Sequence, residues 1–163
     1  MAENLEIKDE WRDVIGIESK PWTHEVTTTS VRGFARGVGY TDVVYYDEAA
    51  AKAAGYRSLP APPTYLGTPI FIPGECSDTF GGPKDSGPTI DHGLPNLLDG
   101  GTETEYHADI CAGDTLTVTS QIADLSIREG RSTGKMLITT QETKVVNQDG
   151  VLVATQRGQA IFY

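Results

Sequence analysis

From Thr102 onward the sequence alternates apolar and polar residues, and the alternation breaks only at turn formers. TETEYHADI leads into Cys111-Ala112-Gly113-Asp114, and TLTVTSQIADLSIREG leads into Glu129-Gly130-Arg131. GKMLITTQETKVVNQDG follows, with Asp149-Gly150 as a hairpin signal, and VLVATQRGQAIFY closes the chain. A period of two puts successive side chains on opposite faces of a sheet, and short turns between such runs make neighbouring strands antiparallel. Four long antiparallel strands after Gly101 are therefore expected. A sheet of that size has a face to bury, and the residues before it must cover that face.

The first half has the means to do so. THEVTTT (Thr23 to Thr29) is β-branched and reads as one more strand. Thr29 or Ser30 can cap a helix over VRGFARGVG, with Val31, Phe34, Ala35 and Val38 at helical spacing. Asp47 caps DEAAAKAAG, which Gly55 ends. Nearer the N-terminus, EWRDVIG sets Trp11, Val14 and Ile15 on one side of a short helix. TYLGTPIF, at 64–71, is apolar nearly all round, as a buried helix is. Eight of the nine prolines lie between Pro60 and Pro95. Residues 73–100 have little periodicity and read as a long Pro/Gly-rich loop of the kind that forms lids, binding loops or interface arms. The expected architecture is a single α+β domain over residues 1–163, a curved antiparallel sheet wrapped around a buried helix.

Composition removes several functions. A net charge of −10 with no basic run excludes grip on a nucleic-acid backbone. No apolar run has the length of a membrane span, and the acidic start MAENLEIKDEW is unlike a signal peptide, so a cytoplasmic setting is expected. Two cysteines, Cys76 and Cys111, make no disulfide framework and have no ligand spacing with the histidines. The glycines at 37 and 39 are not followed by the Lys-Ser/Thr of a phosphate loop, and no G-x-S-x-G elbow is present.

The stretch GFARGVGYTDVVYYDEAAAKAAGYRSLPAPPTYLGT, together with LLDGGTETEYHADICAGDTLTVTSQIAD, resembles the MaoC-type (R)-specific enoyl-thioester hydratases. It is most similar to their N-terminal MaoC branch, the FAS1-like dehydratase domains. The resemblance spans about residues 5–163 and implies the hot-dog fold, edge-to-edge dimerisation and no cofactor. It also implies a chemistry in which a carboxylate and an imidazole hold one water for addition to, or removal from, an acyl thioester. The family's active motif reads G-Asp-x-Asn-Pro-x-His, with a further acid two residues on. Here Gly39 and Asp47 match, but Tyr40 stands at the aspartate, Asp42 at the asparagine, Val43 at the proline and Tyr45 at the histidine. With an ordinary pKa near 10, tyrosine is a poor water activator at neutral pH. The family includes two-chain assemblies in which one hot-dog is catalytic and the other, having lost the motif, shapes the acyl pocket.

Three readings follow. The chain is the substrate-accommodating half of an (R)-specific enoyl-CoA hydratase or 3-hydroxyacyl-thioester dehydratase, paired with a catalytic MaoC-like chain. Alternatively it is a homodimeric hydratase with an unusual acid/base set drawn from Asp42, Tyr45 and His92. Or it is a non-catalytic acyl-CoA-binding module. Each candidate also has a plain reading: Asp42 as a turn or cap residue, Tyr40 and Tyr45 as core aromatics, Asp91-His92 as a polar loop pair, His107 as a half-buried strand residue. The substrate-binding candidates are Tyr40, Tyr65, Gly67, His107 and Arg57. Arg32, Arg36, Lys52 and Arg57 cluster around the first helices and can hold CoA phosphates. An acidic chain repels the acidic acyl carrier protein, so CoA is the favoured carrier.

Overall fold

A computed structural model describes residues 5–67, 89–131 and 133–163. Its elements run α1 (Asp9–Arg12), β1 (Trp22–Glu25), α2 (Thr28–Val38), α3 (Glu48–Ala53), β2 (Leu97–Tyr106), β3 (Thr115–Gly130), β4 (Gly134–Val146) and β5 (Leu152–Phe162). Two 3-10 turns, Val43–Tyr45 and Tyr65–Gly67, flank α3. The five strands form one antiparallel sheet in the order β1-β3-β4-β5-β2. This is the α+β hot-dog architecture expected from the sequence.

The turns after Gly101 fall where the alternation breaks, but three boundaries differ from expectation. β2 begins at Leu97, inside the stretch read as loop. A bulge between Asp99 and Gly101 breaks its period of two and hides the strand from a pattern reading. Both glycines there are required. A Cβ on Gly100 would sit 2.8 Å from the Gln159 Cβ, and Gly101 has φ 101°. β1 ends at Glu25, because Thr27 caps α2. The Thr27 hydroxyl accepts from the Ser30 N–H at 3.0 Å, and the Ser30 hydroxyl takes the Thr27 N–H at 3.0 Å, a reciprocal capping box. The cap is therefore neither Thr29 nor Ser30. Finally, α1 is a single turn that buries Trp11 but leaves Val14 and Ile15 outside it. Ile15 instead bridges to Ile122, and Ser19 donates to the Ser120 carbonyl at 2.7 Å, so this segment laces along β3. The apolar stretch at 64–71 is described only to Gly67. Residues 68–71, Cys76 and the loop from 73 to 88 lie outside the described residues.

Two apolar clusters fill the fold. The larger joins Val31 of α2, Ala51 of α3 and Leu59 to Leu116, Val118, Val145 and Val153 of the sheet. The smaller packs Trp11 on Leu125 and Leu137, with Leu94 and Phe162 beside them. No described helix is long and apolar enough to cross a membrane.

The end of the sheet nearest α3 is pinned by a buried carboxylate. Asp114 is 1% exposed. Its oxygens accept from Arg57 Nη1 and Nη2 at 3.0 and 2.8 Å, from the Cys111 N–H at 2.8 Å and from Gln148 Nε2 at 3.3 Å. Burial pushes its pKa up, but the hydrogen bonds from Arg57, Cys111 and Gln148 outweigh burial and hold it below the usual value. Because the folded pKa is depressed, this stabilisation is complete above the ordinary carboxylate pKa, near 3.9. It is lost as pH falls through the lower folded value. Asp114→Ala should cost about 2–3 kcal/mol in denaturant unfolding at neutral pH, since it removes charge-assisted hydrogen bonds and leaves the buried Cys111 N–H without its acceptor. Asp114→Asn should flatten the loss of stability that the native chain shows below about pH 4.

Candidate functional site

A cleft of about 330 Å3 opens where the end of β2 meets the proline-bearing segment after α3. Its walls include Tyr45, Tyr56, Pro63, Tyr106, His107 and Ile110. The two sides are tied together by backbone. Pro60 bridges to Cys111, the Ala61 N–H donates to the Ile110 carbonyl at 2.7 Å, and the Ala112 N–H to the Leu59 carbonyl at 2.8 Å. The Tyr106 hydroxyl donates to the Pro63 carbonyl, closing one corner of the cleft.

Tyr45 arrives there, with Tyr40 packed beside it, through local caps. Gly39, at φ 83°, ends α2 in the left-handed conformation, and the Tyr40 N–H then donates to the Ala35 carbonyl at 2.9 Å. Asp42 caps the next turn, its Oδ1 accepting from the Val44 N–H at 3.1 Å. That turn brings the Tyr45 ring to 5.6 Å from the Tyr40 ring, centroid to centroid. The Tyr46 hydroxyl donates to the Tyr40 carbonyl at 2.6 Å and fixes the loop. The positions that match the family's Asp and His are therefore adjacent in space, but both carry phenols. Burial, then Asp42, Tyr40 and Tyr56, all push the Tyr45 pKa up. Burial and Tyr40 do the same to Tyr106. Both phenols stay protonated at neutral pH, so they donate hydrogen bonds and do not serve as bases.

The remaining candidates divide by position. His107 lines the cleft, its Nε2 3.1 Å from the Thr155 hydroxyl. His92 does not reach the cleft. Its Nδ1 accepts from the Leu94 N–H at 3.0 Å, and its ring packs 4.1 Å from Phe162. Phe162 pairs with Leu97, whereas Tyr106 pairs with Ala154. At about 3.3 Å per residue, those two ends of the ladder are roughly 25 Å apart. Burial lowers the His92 pKa more than Asp91 raises it, which favours a neutral ring. Tyr65 belongs to the core at 8% exposure, its hydroxyl 2.8 Å from the Ser30 hydroxyl and its ring edge-on to Phe34. Gly67 ends the 3-10 turn that follows. Arg57 is taken up by Asp114, whose hydrogen bond leads the rise in the Arg57 pKa. Tyr56, which sequence reading passed over, completes the ring of phenols. Its only signal was its place between the Gly55 helix stop and the prolines. Among the described residues no group of three His, Cys, Asp or Glu side chains is placed to hold a metal.

The elevated phenols give a direct test. In a spectroscopic titration of the folded chain, a late phenolate component should ionise above the ordinary tyrosine value of about 10. Tyr45→Phe and Tyr106→Phe should each shrink it. A titration in which all tyrosines ionise together near that value would contradict the arrangement.

Comparison with known proteins bears on the same residues. Residues 13–156 match the FAS1-like dehydratase domain region. A UPF0336 protein of Parafrankia is 34% identical over 80% of this chain and 78% of its own length. A Thermomonospora curvata protein named "Probable enoyl-CoA hydratase alpha subunit" is 25% identical over 81% of this chain but only 43% of its own length. Among solved structures, a chain of the HadBC (3R-hydroxyacyl-ACP dehydratase) complex of Mycobacterium tuberculosis superposes with a TM-score of 0.65 at 24% identity, covering 91% of this chain and 97% of that one. A MaoC-like dehydratase from Rhodospirillum rubrum superposes with a TM-score of 0.64 at 20% identity, covering 93% and 94%. These two likenesses carry the fold, and the sequence match carries the family: the chain belongs to the FAS1-like dehydratase domains, built as a hot-dog.

Proposed function

We propose that this chain is the substrate-accommodating subunit of an (R)-specific enoyl-CoA hydratase or 3-hydroxyacyl-thioester dehydratase, working with a second hot-dog chain that carries the Asp and His. The reaction adds water across the C2–C3 double bond of an enoyl thioester, hydroxyl to C3 and proton to C2, or reverses it. A base must take a proton from that water, and an acid must return one to carbon. The observation that carries the reading is the Tyr40–Tyr45 pair. It occupies the family's catalytic positions at 5.6 Å, and the Tyr45 pKa is pushed further from the working range. Phenols in a cleft of mixed polar and apolar lining instead suit the carbonyl oxygens of a thioester and its pantetheine arm.

The homodimeric alternative draws less support from the residues named for it. Asp42 is engaged as a cap, and His92 lies at the other end of the sheet. The HadBC and enoyl-CoA hydratase alpha-subunit names of similar proteins agree with a two-chain enzyme. Overall charge does not choose between CoA and acyl carrier protein, since both are anionic, and the basic cluster expected to hold CoA phosphates is largely engaged. Arg57 is bound to Asp114, Lys52 pairs with Glu48 at 2.8 Å, and Arg32 Nε donates to the Tyr46 carbonyl at 3.0 Å.

Hydration of crotonyl-CoA and of a longer enoyl-CoA tests this, with the chain alone and with co-expressed hot-dog proteins that retain the Asp and His. The chain alone should be inert and the pair active. Turnover by the chain alone at the rate of the pair would overturn the proposal. In the active pair, Tyr45→Phe should raise KM by about tenfold or less with kcat nearly unchanged, the mark of a binding group worth about 1 kcal/mol.

A further inference from the structure

The apolar-in, polar-out alternation of the sheet fails along one row. Inward strand residues are apolar towards its two ends: Val118, Val145 and Ala154 in the larger cluster, Leu125, Leu137 and Phe162 in the smaller. Between them the ladder sets Ser120 of β3 opposite Thr143 of β4, Thr143 opposite Gln156 of β5, and Gln156 opposite Thr104 of β2. Ser120, Thr143 and Gln156 each lie two residues from an inward apolar neighbour, at 118, 145 and 154, and Thr104 lies two residues from Tyr106, the partner of Ala154. With a period of two, all four side chains point inward. Their contacts agree with this. Gln156 Nε2 donates to the Thr104 hydroxyl at 3.1 Å, and the Ser120 and Thr143 hydroxyls are 2.9 Å apart.

The row has bonding capacity to spare. Thr104 accepts from Gln156, which leaves its own hydroxyl hydrogen to donate. Gln156 keeps a carbonyl oxygen and a second N–H, neither of them bonded among the described residues. All four side chains are half-buried. The next inward residues of β5, Gly158 and Ala160, are too small to cover them. A half-buried polar group costs stability unless something bonds to it. None of the four is charged, so the row matches a neutral hydroxyl better than a carboxylate or a phosphate. A plain alkyl chain laid across it would remove water and return no hydrogen bond.

The row also lies next to the cleft. Tyr106 lines the cleft, and Thr104 is the next inward residue on β2, about 7 Å further along the strand.

We infer that the acyl group accommodated by this chain is oxygenated, with a hydroxyl several carbons beyond C3 that bonds to the Thr104–Gln156 pair. This rests on the acyl-thioester reading above and adds the class of acyl group. The cleft phenols hold the thioester end, and the polar row selects what the chain carries further along.

Isothermal titration calorimetry of the full chain tests this with decanoyl-CoA, 6-hydroxydecanoyl-CoA and 8-hydroxydecanoyl-CoA. All three are saturated at C2–C3 and unsubstituted at C3, so binding is read without turnover. At least one hydroxylated ligand should bind about fivefold or more tightly than decanoyl-CoA, the size of one net hydrogen bond. The Thr104→Val, Gln156→Leu variant should lose that preference. A wild-type preference below about fivefold overturns the inference and leaves the row as a structural network, while binding of decanoyl-CoA keeps the acyl-thioester reading intact. A preference that survives the double substitution also overturns it. If none of the three binds at about 1 mM, the acyl-thioester reading fails and the inference with it. Circular dichroism checks that the variant folds, and where it does not, the wild-type ratio alone decides.

Discussion

The Asp114 carboxylate organises the end of the molecule that carries the cleft. It gathers Arg57 from beyond α3, the Cys111 N–H from its own turn and Gln148 from the β4–β5 hairpin. Its backbone carbonyl accepts from the Val26 N–H at 2.8 Å, at the exit from β1. Four segments far apart in sequence are thereby held at one point. A charge this deeply buried is tolerable because each oxygen meets donors and the partner is a bidentate guanidinium. Arg57 stays half in water, so the pair does not bury two charges fully.

The cleft inherits its shape from that anchor. Arg57 Nη2 also reaches the Asp109 carbonyl at 3.3 Å, and the backbone between Leu59 and Ala61 runs bonded to Ile110 and Ala112. The proline-rich path is thus clamped along the β2–β3 connection, with Pro63 presented to Tyr106. Prolines suit this route because they fix φ and have no N–H that burial would strand. On the opposite wall, two short caps, Gly39 and Asp42, turn the chain so that Tyr40 and Tyr45 face each other. The wall is positioned by backbone rather than by long flexible side chains.

What the sequence revealed was what is local. Asp47 before an alanine run and Asp149-Gly150 between alternating runs are legible because cap and turn are complete within a few residues. The threonine run at 27–29 was not, since β-branched residues suit a strand and a cap equally, and the location of Ser30 decides between them. The start of β2 was hidden by its own bulge. At the site, Tyr40 and Tyr45 could be found from the motif spacing. The engagement of Arg57 by Asp114 could not, because 57 residues separate them and the pairing exists only once the sheet is closed. Cationic neighbours in sequence looked like a phosphate patch, and folding gave most of them partners.

The replacement of an acid and an imidazole by phenols also has a physical logic of its own. A carboxylate beside a histidine in an apolar cleft carries a desolvation cost that catalysis needs and folding does not. A phenol fills the same space, packs its ring and keeps a polar tip without ionising. In this chain phenols stand at both motif positions, and Tyr45, His107 and Asp109 line the cleft; the carboxylates of Asp114 and Glu142 are each engaged by an arginine. Part of the net charge of −10 lies along the β2 edge, at Asp99, Glu103 and Glu105. The fold of the family is kept, and the pair with which its motif moves a proton is replaced at positions 40 and 45 by two phenols.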